Sequence, residues 1–108
     1  MTQFDASIII PTFNRSASLQ RTLESLACQD ADQWSFEVIV VDDGSTDETP
    51  NICQQPFPFY LRYLRQENQG DASARNTGAN CSRAVWLIFL DDDVLVAPAY
   101  LSILLQAQ

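Results

Sequence analysis

The chain has 108 residues, of which 46% are hydrophobic and 19% are charged, a composition typical of one modest globular domain and not of a disordered segment. Its net charge of −8 argues against nucleic acid as a partner, because non-specific binding to phosphates needs a basic surface. The three cysteines are widely spaced, and no apolar run approaches the roughly 20 residues that span a bilayer, so we expect a cytoplasmic domain with no disulfide framework, zinc site or transmembrane segment.

Two β-branched runs in the first half of the chain predict buried strands. Residues 7–10 and 38–41 are apolar on both faces, which is typical of parallel strands covered by helices on each side. Between them, four apolar residues at helical spacing predict a helix over about 16–29. These residues are Leu19, Leu23, Leu26 and Ala27. The order strand, helix, strand is a βαβ unit.

The second half of the chain continues the alternation of strands and helices. The further predicted elements are a short helix from Thr49 that ends before Pro56, a strand over 60–64, a helix from about 69–71, a strand over 85–90 and a helix after Pro98. We place the third strand near a sheet edge, because Arg62 and Arg65 need solvent or a partner. The chain as a whole predicts an α/β fold with an open, mainly parallel sheet of about four strands and helices on both faces.

Polar clusters follow three of the predicted strands, at residues 11–15, 42–45 and 91–93. Carboxyl ends of parallel strands meet at one edge of the sheet, where ligands of such folds bind. Taken singly, each cluster has an ordinary structural explanation: Asn14 can cap a helix, and Asp42 with Ser45 can form a turn. Three clusters at one edge predict a binding site.

Three consecutive aspartates, Asp91, Asp92 and Asp93, are the most informative cluster. Adjacent carboxylates require a counter-ion, and for oxygen ligands this is usually a hard divalent metal. At strand spacing Asp91 and Asp93 point the same way and Asp92 points to the other side, so that two carboxylates share one cation. Mg²⁺ or Mn²⁺ bound by one or two carboxylates takes its other ligands from water and phosphate, which makes a diphosphate the expected guest.

Three further residues are candidates for contacts with such a ligand. Asp43 would accept hydrogen bonds from a base N–H or from sugar hydroxyls, and Phe13 would stack on a base. Arg75 would meet a phosphate or a base carbonyl. The ordinary alternatives are a core position for Phe13 and a surface salt bridge for Arg75.

Four segments of the chain resemble the family 2 glycosyltransferases with the GT-A fold. They are residues 7–15, 38–47, 74–78 and 89–93, followed by Pro98 and Leu101, and the match runs in order from about residue 7 to 105. The resemblance implies a site for a nucleotide diphosphate sugar, with a UDP-sugar favoured. The nucleotide-sugar-binding residues that it implies are Pro11, Thr12, Phe13, Asn14, Arg15, Asp43, Arg75, Asp91 and Asp92. It also implies Asp93 as the direct metal ligand, and leaves open how Asp91 and Asp92 divide between ribose and metal.

The resemblance also implies what this segment lacks. Relatives continue past the metal motif into an acceptor-binding half that supplies the catalytic base, so we expect residues 1–108 to form one nucleotide-sugar-binding domain, with the base beyond Gln108. The full enzyme would be inverting and would work in the cytoplasm or at the cytoplasmic membrane face. The alternative is a non-catalytic nucleotide-binding or self-associating module of the same fold. Truncation would expose surfaces that favour a homo-oligomer.

Other α/β classes fit the residues less well. Phosphoacceptor receiver domains and haloacid-dehalogenase phosphatases also place aspartates at strand ends, but they rely on a lysine, and this chain has none. An NAD-binding domain needs a glycine-rich turn after its first strand, and residues 11–15 contain no glycine.

Overall fold

A computed structural model describes residues 3–107 as a four-stranded sheet with helices on both faces. The strands are β1 (Phe4–Thr12), β2 (Phe36–Asp42), β3 (Tyr60–Arg65) and β4 (Ala84–Phe89), and the helices are α1 (Ser16–Ala27), α2 (Thr49–Ile52), α3 (Asp71–Cys81) and α4 (Tyr100–Gln106). All neighbouring strands are parallel, in the order β3-β2-β1-β4. The predicted fold class and element order are therefore confirmed.

The two central strands bury residues on both of their faces. One face of β1 and β2, with Ile8 and Val38, packs on α1, α2 and α4. The other face, with Ile9, Ile39 and Val41, packs on Ala74 of α3. Because successive strand residues alternate between faces, only a run that is apolar throughout can fill both cores. The longest helix has 12 residues, and no helix within residues 3–107 combines the length and apolar character of a membrane span.

The two edges of the sheet differ in character. Strand β3 forms one edge, as predicted, and its two arginines find carboxylate partners on β2: Arg62 pairs with Glu37 and Arg65 pairs with Asp42. Strand β4 forms the other edge, and four of its apolar side chains are exposed. They are Val85, Trp86, Leu87 and Phe89. Within residues 3–107, this second edge therefore combines a strand that pairs on one side only with an apolar surface.

A buried carboxylate joins the strands at the edge opposite the polar clusters. Glu37 is fully buried and accepts hydrogen bonds from the Ser7 hydroxyl (2.6 Å) and the backbone N–H of Arg83 (2.9 Å). The guanidinium nitrogens of Arg62 and Arg83 each lie 3.5 Å from its other oxygen. Burial raises the pKa of Glu37, but these hydrogen bonds and positive charges outweigh it and hold the pKa below its ordinary value. No motif in the sequence predicted this network.

Helix α3 lies unusually close to the sheet at Gly78. A Cβ atom at this position would lie 2.5 Å from Cγ2 of Ile9 and 3.2 Å from Cγ2 of Val41. A side chain there would push the helix away from both central strands. The glycine is therefore required by the packing distance and not by its backbone angles.

Gly78→Ala is expected to lower the free energy of unfolding by about 1 to 3 kcal/mol, because the added methyl overpacks the contact with Ile9. Asn76→Ala, at an exposed position of the same helix, is the matched control and should be neutral or slightly stabilising. Urea denaturation of both variants measures the difference. Equal stability of Gly78→Ala and the parent would contradict the close approach.

Glu37→Gln is expected to lower the free energy of unfolding at pH 7 by about 1.5 to 3 kcal/mol, because charged hydrogen bonds are lost. The pKa of Glu37 is lower in the folded than in the unfolded chain. Its contribution to the free energy of unfolding is therefore fully present at a pH above the unfolded pKa and is lost as the pH falls through the folded pKa. The difference in the free energy of unfolding between the parent and Glu37→Gln should therefore shrink below about pH 4. Glu24→Gln, at an exposed site, is the control in urea titrations at each pH, and a gap independent of pH would count against the charged network.

Candidate functional site

The loops after β1 and β2 are joined by side-chain hydrogen bonds. The backbone N–H of Asn14 donates to the Ser45 hydroxyl (2.8 Å), and the Asn14 side-chain oxygen accepts from the backbone N–H of Thr46 (2.8 Å). Asn14 has a positive φ of 53°, which asparagine tolerates better than most residues. Asn14 therefore fixes the exit of β1 against the exit of β2.

Asp47 caps two helices at once. Its carboxylate accepts from the backbone N–H of Ser16, at the start of α1 (3.0 Å), and from the backbone N–H and hydroxyl of Thr49, at the start of α2 (3.0 and 2.6 Å). Burial raises the pKa of Asp47, and these donors outweigh it and lower the pKa overall. Capping was the ordinary explanation of Asn14 in the sequence, but the side chain at the start of α1 comes from the loop after β2.

The two aspartates at the carboxyl end of β2 support the surrounding loops. Asp42 is fully buried, and it accepts from the backbone N–H of Ser45 (2.8 Å) and the hydroxyl of Tyr63, so the structural explanation as a turn holds for Asp42. Asp43 accepts from the backbone N–H groups of Gln69 (2.8 Å) and Gly70 (2.9 Å), which precede α3. Burial raises the pKa of Asp43, but hydrogen bonds from the Gln66 side chain and these two N–H groups outweigh burial and hold the pKa below its ordinary value.

The three consecutive aspartates differ sharply in environment. Asp92 is buried and accepts a 2.8 Å hydrogen bond from the Thr12 hydroxyl, whereas the side chains of Asp91 and Asp93 are 69% and 54% exposed. This alternation agrees with the predicted strand spacing, although β4 itself ends at Phe89. Burial raises the pKa of Asp92, the Thr12 and Arg15 contacts oppose this, and the net pKa lies above its ordinary value.

Two arginines from different elements reach these carboxylates. The Nη1 atom of Arg15 lies 3.4 Å from an oxygen of Asp92 and 3.4 Å from an oxygen of Asp93. Arg75, on α3, lies 3.9 Å from Asp91. The salt bridge expected as the ordinary explanation of Arg75 is thus present, and it is made to an aspartate of the triplet.

These residues line one pocket of about 490 Å³ at the carboxyl edge of the sheet. Its lining consists of Pro11, Thr12, Phe13, Arg15, Asp71, Arg75, Asp91, Asp92 and Asp93. Eight of these nine were predicted from the sequence. The other two predicted residues, Asn14 and Asp43, lie outside the lining and hold its loops. Asp71 lines the pocket but was not predicted as a site residue. Its only indication in the sequence is its position directly after Gly70, at the start of a predicted helix.

The donor atoms suit a hard divalent cation that also binds a ligand. Every charged acceptor in the pocket is a carboxylate oxygen, the type that Mg²⁺ and Mn²⁺ prefer. Among residues 3–107, no three His, Cys, Asp or Glu side chains are grouped closely enough to hold a metal by themselves. The residues therefore fit a metal bound by one or two carboxylates, with phosphate and water completing its ligands.

Comparison with known proteins identifies the family of the chain. Residues 7–108 match the family model described as Glycosyl transferase family 2. Validoxylamine A glucosyltransferase of Streptomyces hygroscopicus subsp. jinggangensis (strain 5008) is 45% identical over 104 residues, which cover 94% of this chain and 25% of that protein.

Two solved structures share the fold. The crystal structure of S. aureus TarS 1-349 in complex with UDP-GlcNAc superposes with a TM-score of 0.86 at 31% identity, over 93% of this chain and 30% of that one. The mannosyltransferase PcManGT from Pyrobaculum calidifontis, in complex with GDP-Man and Mn²⁺, superposes with a TM-score of 0.80 at 28% identity, over 94% of this chain and 33% of that one. The match covers 25% of the validoxylamine A glucosyltransferase and about a third of each of the two crystallised chains. The resemblance seen in the sequence is confirmed, and the chain belongs to glycosyl transferase family 2.

Proposed function

We propose that this chain is the donor-binding part of an inverting glycosyltransferase, which transfers a sugar from a nucleotide diphosphate sugar to an acceptor hydroxyl. The observation that carries the proposal is the pocket that joins Arg15 and Arg75 to Asp91, Asp92 and Asp93. Arginines suit a diphosphate, and exposed carboxylates suit the divalent metal that would accompany it. A UDP-sugar is the favoured donor, in keeping with the UDP-GlcNAc bound to the related TarS structure.

Each proposed role follows from the position of the side chain. The exposed Asp93 would ligate Mg²⁺ or Mn²⁺, with Asp91 beside it, and the buried Asp92 would face the ribose. Phe13 is 42% exposed at the pocket, so one ring face is available for a base. Pro11 and Thr12 would shape the floor under the nucleotide, because both are buried where they line the pocket.

Asn14 and Asp43 would act on the nucleotide from the rim. Asp43 stays ionised and keeps acceptor capacity, because its two oxygens receive three hydrogen bonds out of about four possible. A base N–H would take the remaining position. Asn14 would position Phe13 and Arg15, its neighbours in the chain, through the bonds to the loop after β2.

The chemistry of transfer divides between this segment and the rest of an enzyme. The bound metal would neutralise charge on the leaving diphosphate, and Arg75 would add a second positive group at the same place. No residue of the pocket has a motif that assigns it to an acceptor, so we propose that the general base and the acceptor-binding half lie outside residues 1–108. A positioned base contributes about 100- to 10,000-fold in rate.

Native protein is expected to bind UDP in the presence of Mn²⁺, and Asp93→Asn is expected to weaken this binding about 10- to 100-fold, because a charged ligand to the metal is lost. Asp32→Asn, at an exposed site elsewhere, is the charge-matched control. Isothermal titration calorimetry with and without Mn²⁺ measures both. Absence of UDP binding by the native chain would contradict the donor site, and steady sugar transfer by the purified chain alone would contradict a base outside it.

We also propose that the isolated chain self-associates through β4. Its outer edge is unpaired within the described sheet, residues 84–90 carry no charge, and four of its apolar side chains are exposed. Unpaired edges and apolar patches of this kind recruit other chains. A non-catalytic module that only associates would retain this property without UDP binding.

Light scattering at micromolar concentration is therefore expected to report a dimer or a larger assembly. Trp86→Lys should shift the mass towards the monomer, because an edge lysine opposes strand pairing. Leu95→Lys, at a leucine that is exposed outside the strands, is the control for added charge. A monomeric native chain would count against association.

A further inference from the structure

We infer that Arg15 is an internal counter-ion that takes the place of the metal in the free protein and then transfers to the diphosphate. This inference rests on the proposed donor site and adds to it a change of partner for one residue. In the free chain the guanidinium pairs with Asp92 and Asp93. When a divalent cation binds, the guanidinium gives up these carboxylates and pairs with the phosphate oxygens of the nucleotide.

The geometry of Arg15 is the first support. A single nitrogen atom, Nη1, lies 3.4 Å from Oδ1 of Asp92 and 3.4 Å from Oδ2 of Asp93. One positive group therefore contacts two carboxylates, and one of them, Asp93, is the proposed metal ligand. The guanidinium and a metal held by Asp93 would compete for the carboxylate of Asp93.

The second support is that Arg15 is weakly held whereas Asp92 is firmly held. The side chain of Arg15 is 57% exposed, and its two contacts are longer than the 2.7 to 2.9 Å of strong charge-assisted hydrogen bonds. Asp92 is buried and fixed by the Thr12 hydroxyl at 2.8 Å. A cation that displaces Arg15 would thus leave Asp92 in place.

The charges that line the pocket favour a move of the Arg15 guanidinium to the diphosphate. Four carboxylates and two guanidiniums line it, so the free pocket keeps an excess of negative charge and would repel a diphosphate. A divalent cation would cancel this excess of negative charge and repel the neighbouring guanidinium. The diphosphate then offers the planar guanidinium of Arg15 a bidentate partner within the same pocket, which Arg75 also lines. Metal and nucleotide would therefore bind with strong mutual dependence.

Arg15→Gln separates the two halves of this inference, since its effects on metal and on nucleotide have opposite signs. Without nucleotide, the variant is expected to bind Mn²⁺ about two- to fivefold more tightly than the native chain, because a competing cation is gone. With saturating Mn²⁺, it is expected to bind UDP about tenfold more weakly, because a charged hydrogen-bond donor to phosphate is gone. Free Mn²⁺ is counted by electron paramagnetic resonance, and UDP binding by calorimetry.

Arg21→Gln is the matched control, because it removes one exposed arginine of α1 that lies outside the pocket and donates to the Ser18 hydroxyl. Arg21→Gln should change neither the affinity for Mn²⁺ nor the affinity for UDP. Arg15→Lys keeps the charge and should stay near the native Mn²⁺ affinity, with UDP binding between those of the native chain and Arg15→Gln. Circular dichroism checks that each variant is folded, as expected for substitutions at exposed side chains.

Two results would overturn the inference. Native or weaker Mn²⁺ affinity in Arg15→Gln would mean that Arg15 does not compete with the metal. Native UDP affinity in Arg15→Gln would mean that the guanidinium does not pass to the diphosphate. If the native chain binds no UDP with Mn²⁺ present, the proposed donor site and the transfer of Arg15 both fail, and the Mn²⁺ titration still decides the competition.

Discussion

The parallel pairing of β1 with its two neighbours is the constraint on which the site depends. Ile9 pairs with Phe89 on one side, and Thr12 pairs with Asp42 on the other. Continuing the first register by three residues places Asp92 beside Thr12, where the 2.8 Å hydrogen bond joins them. The register therefore determines which aspartate is buried. Because all strands run the same way, the polar residues that follow them gather at one edge, although they are far apart in sequence.

The fold was largely predictable because its signals are local. Residues 7–10 and 38–41 are apolar on both faces, and such runs have few alternatives to a covered parallel sheet. The positions of the pocket residues were predictable for the same reason, since they follow strand ends. The Glu37 network was not predictable, because its partners Ser7, Arg62 and Arg83 come from separate elements, and their proximity exists only after the strands have paired.

Prediction of contacts within the site was weaker than prediction of its location. Asp43 carries a motif signal for ligand binding, yet in the structure its carboxylate binds the backbone before α3. Asp71 has no such signal, yet it lines the pocket. A sequence pattern records which residue types surround a ligand. It does not record which of them bind the ligand and which hold the loops, because a carboxylate serves both purposes with the same hydrogen-bonding atoms.

The close approach of α3 to the sheet at Gly78 links the core to the chemistry at the rim. Arg75 lies three residues before Gly78, on the same short helix, so the distance between helix and sheet sets how far its guanidinium extends over the pocket. Ile9, Val41 and Gly78 share one fixed volume, and a larger side chain at one position requires a smaller one at another. Among relatives these three positions should therefore vary together, and their joint change would shift the reach of Arg75 without altering any residue of the pocket.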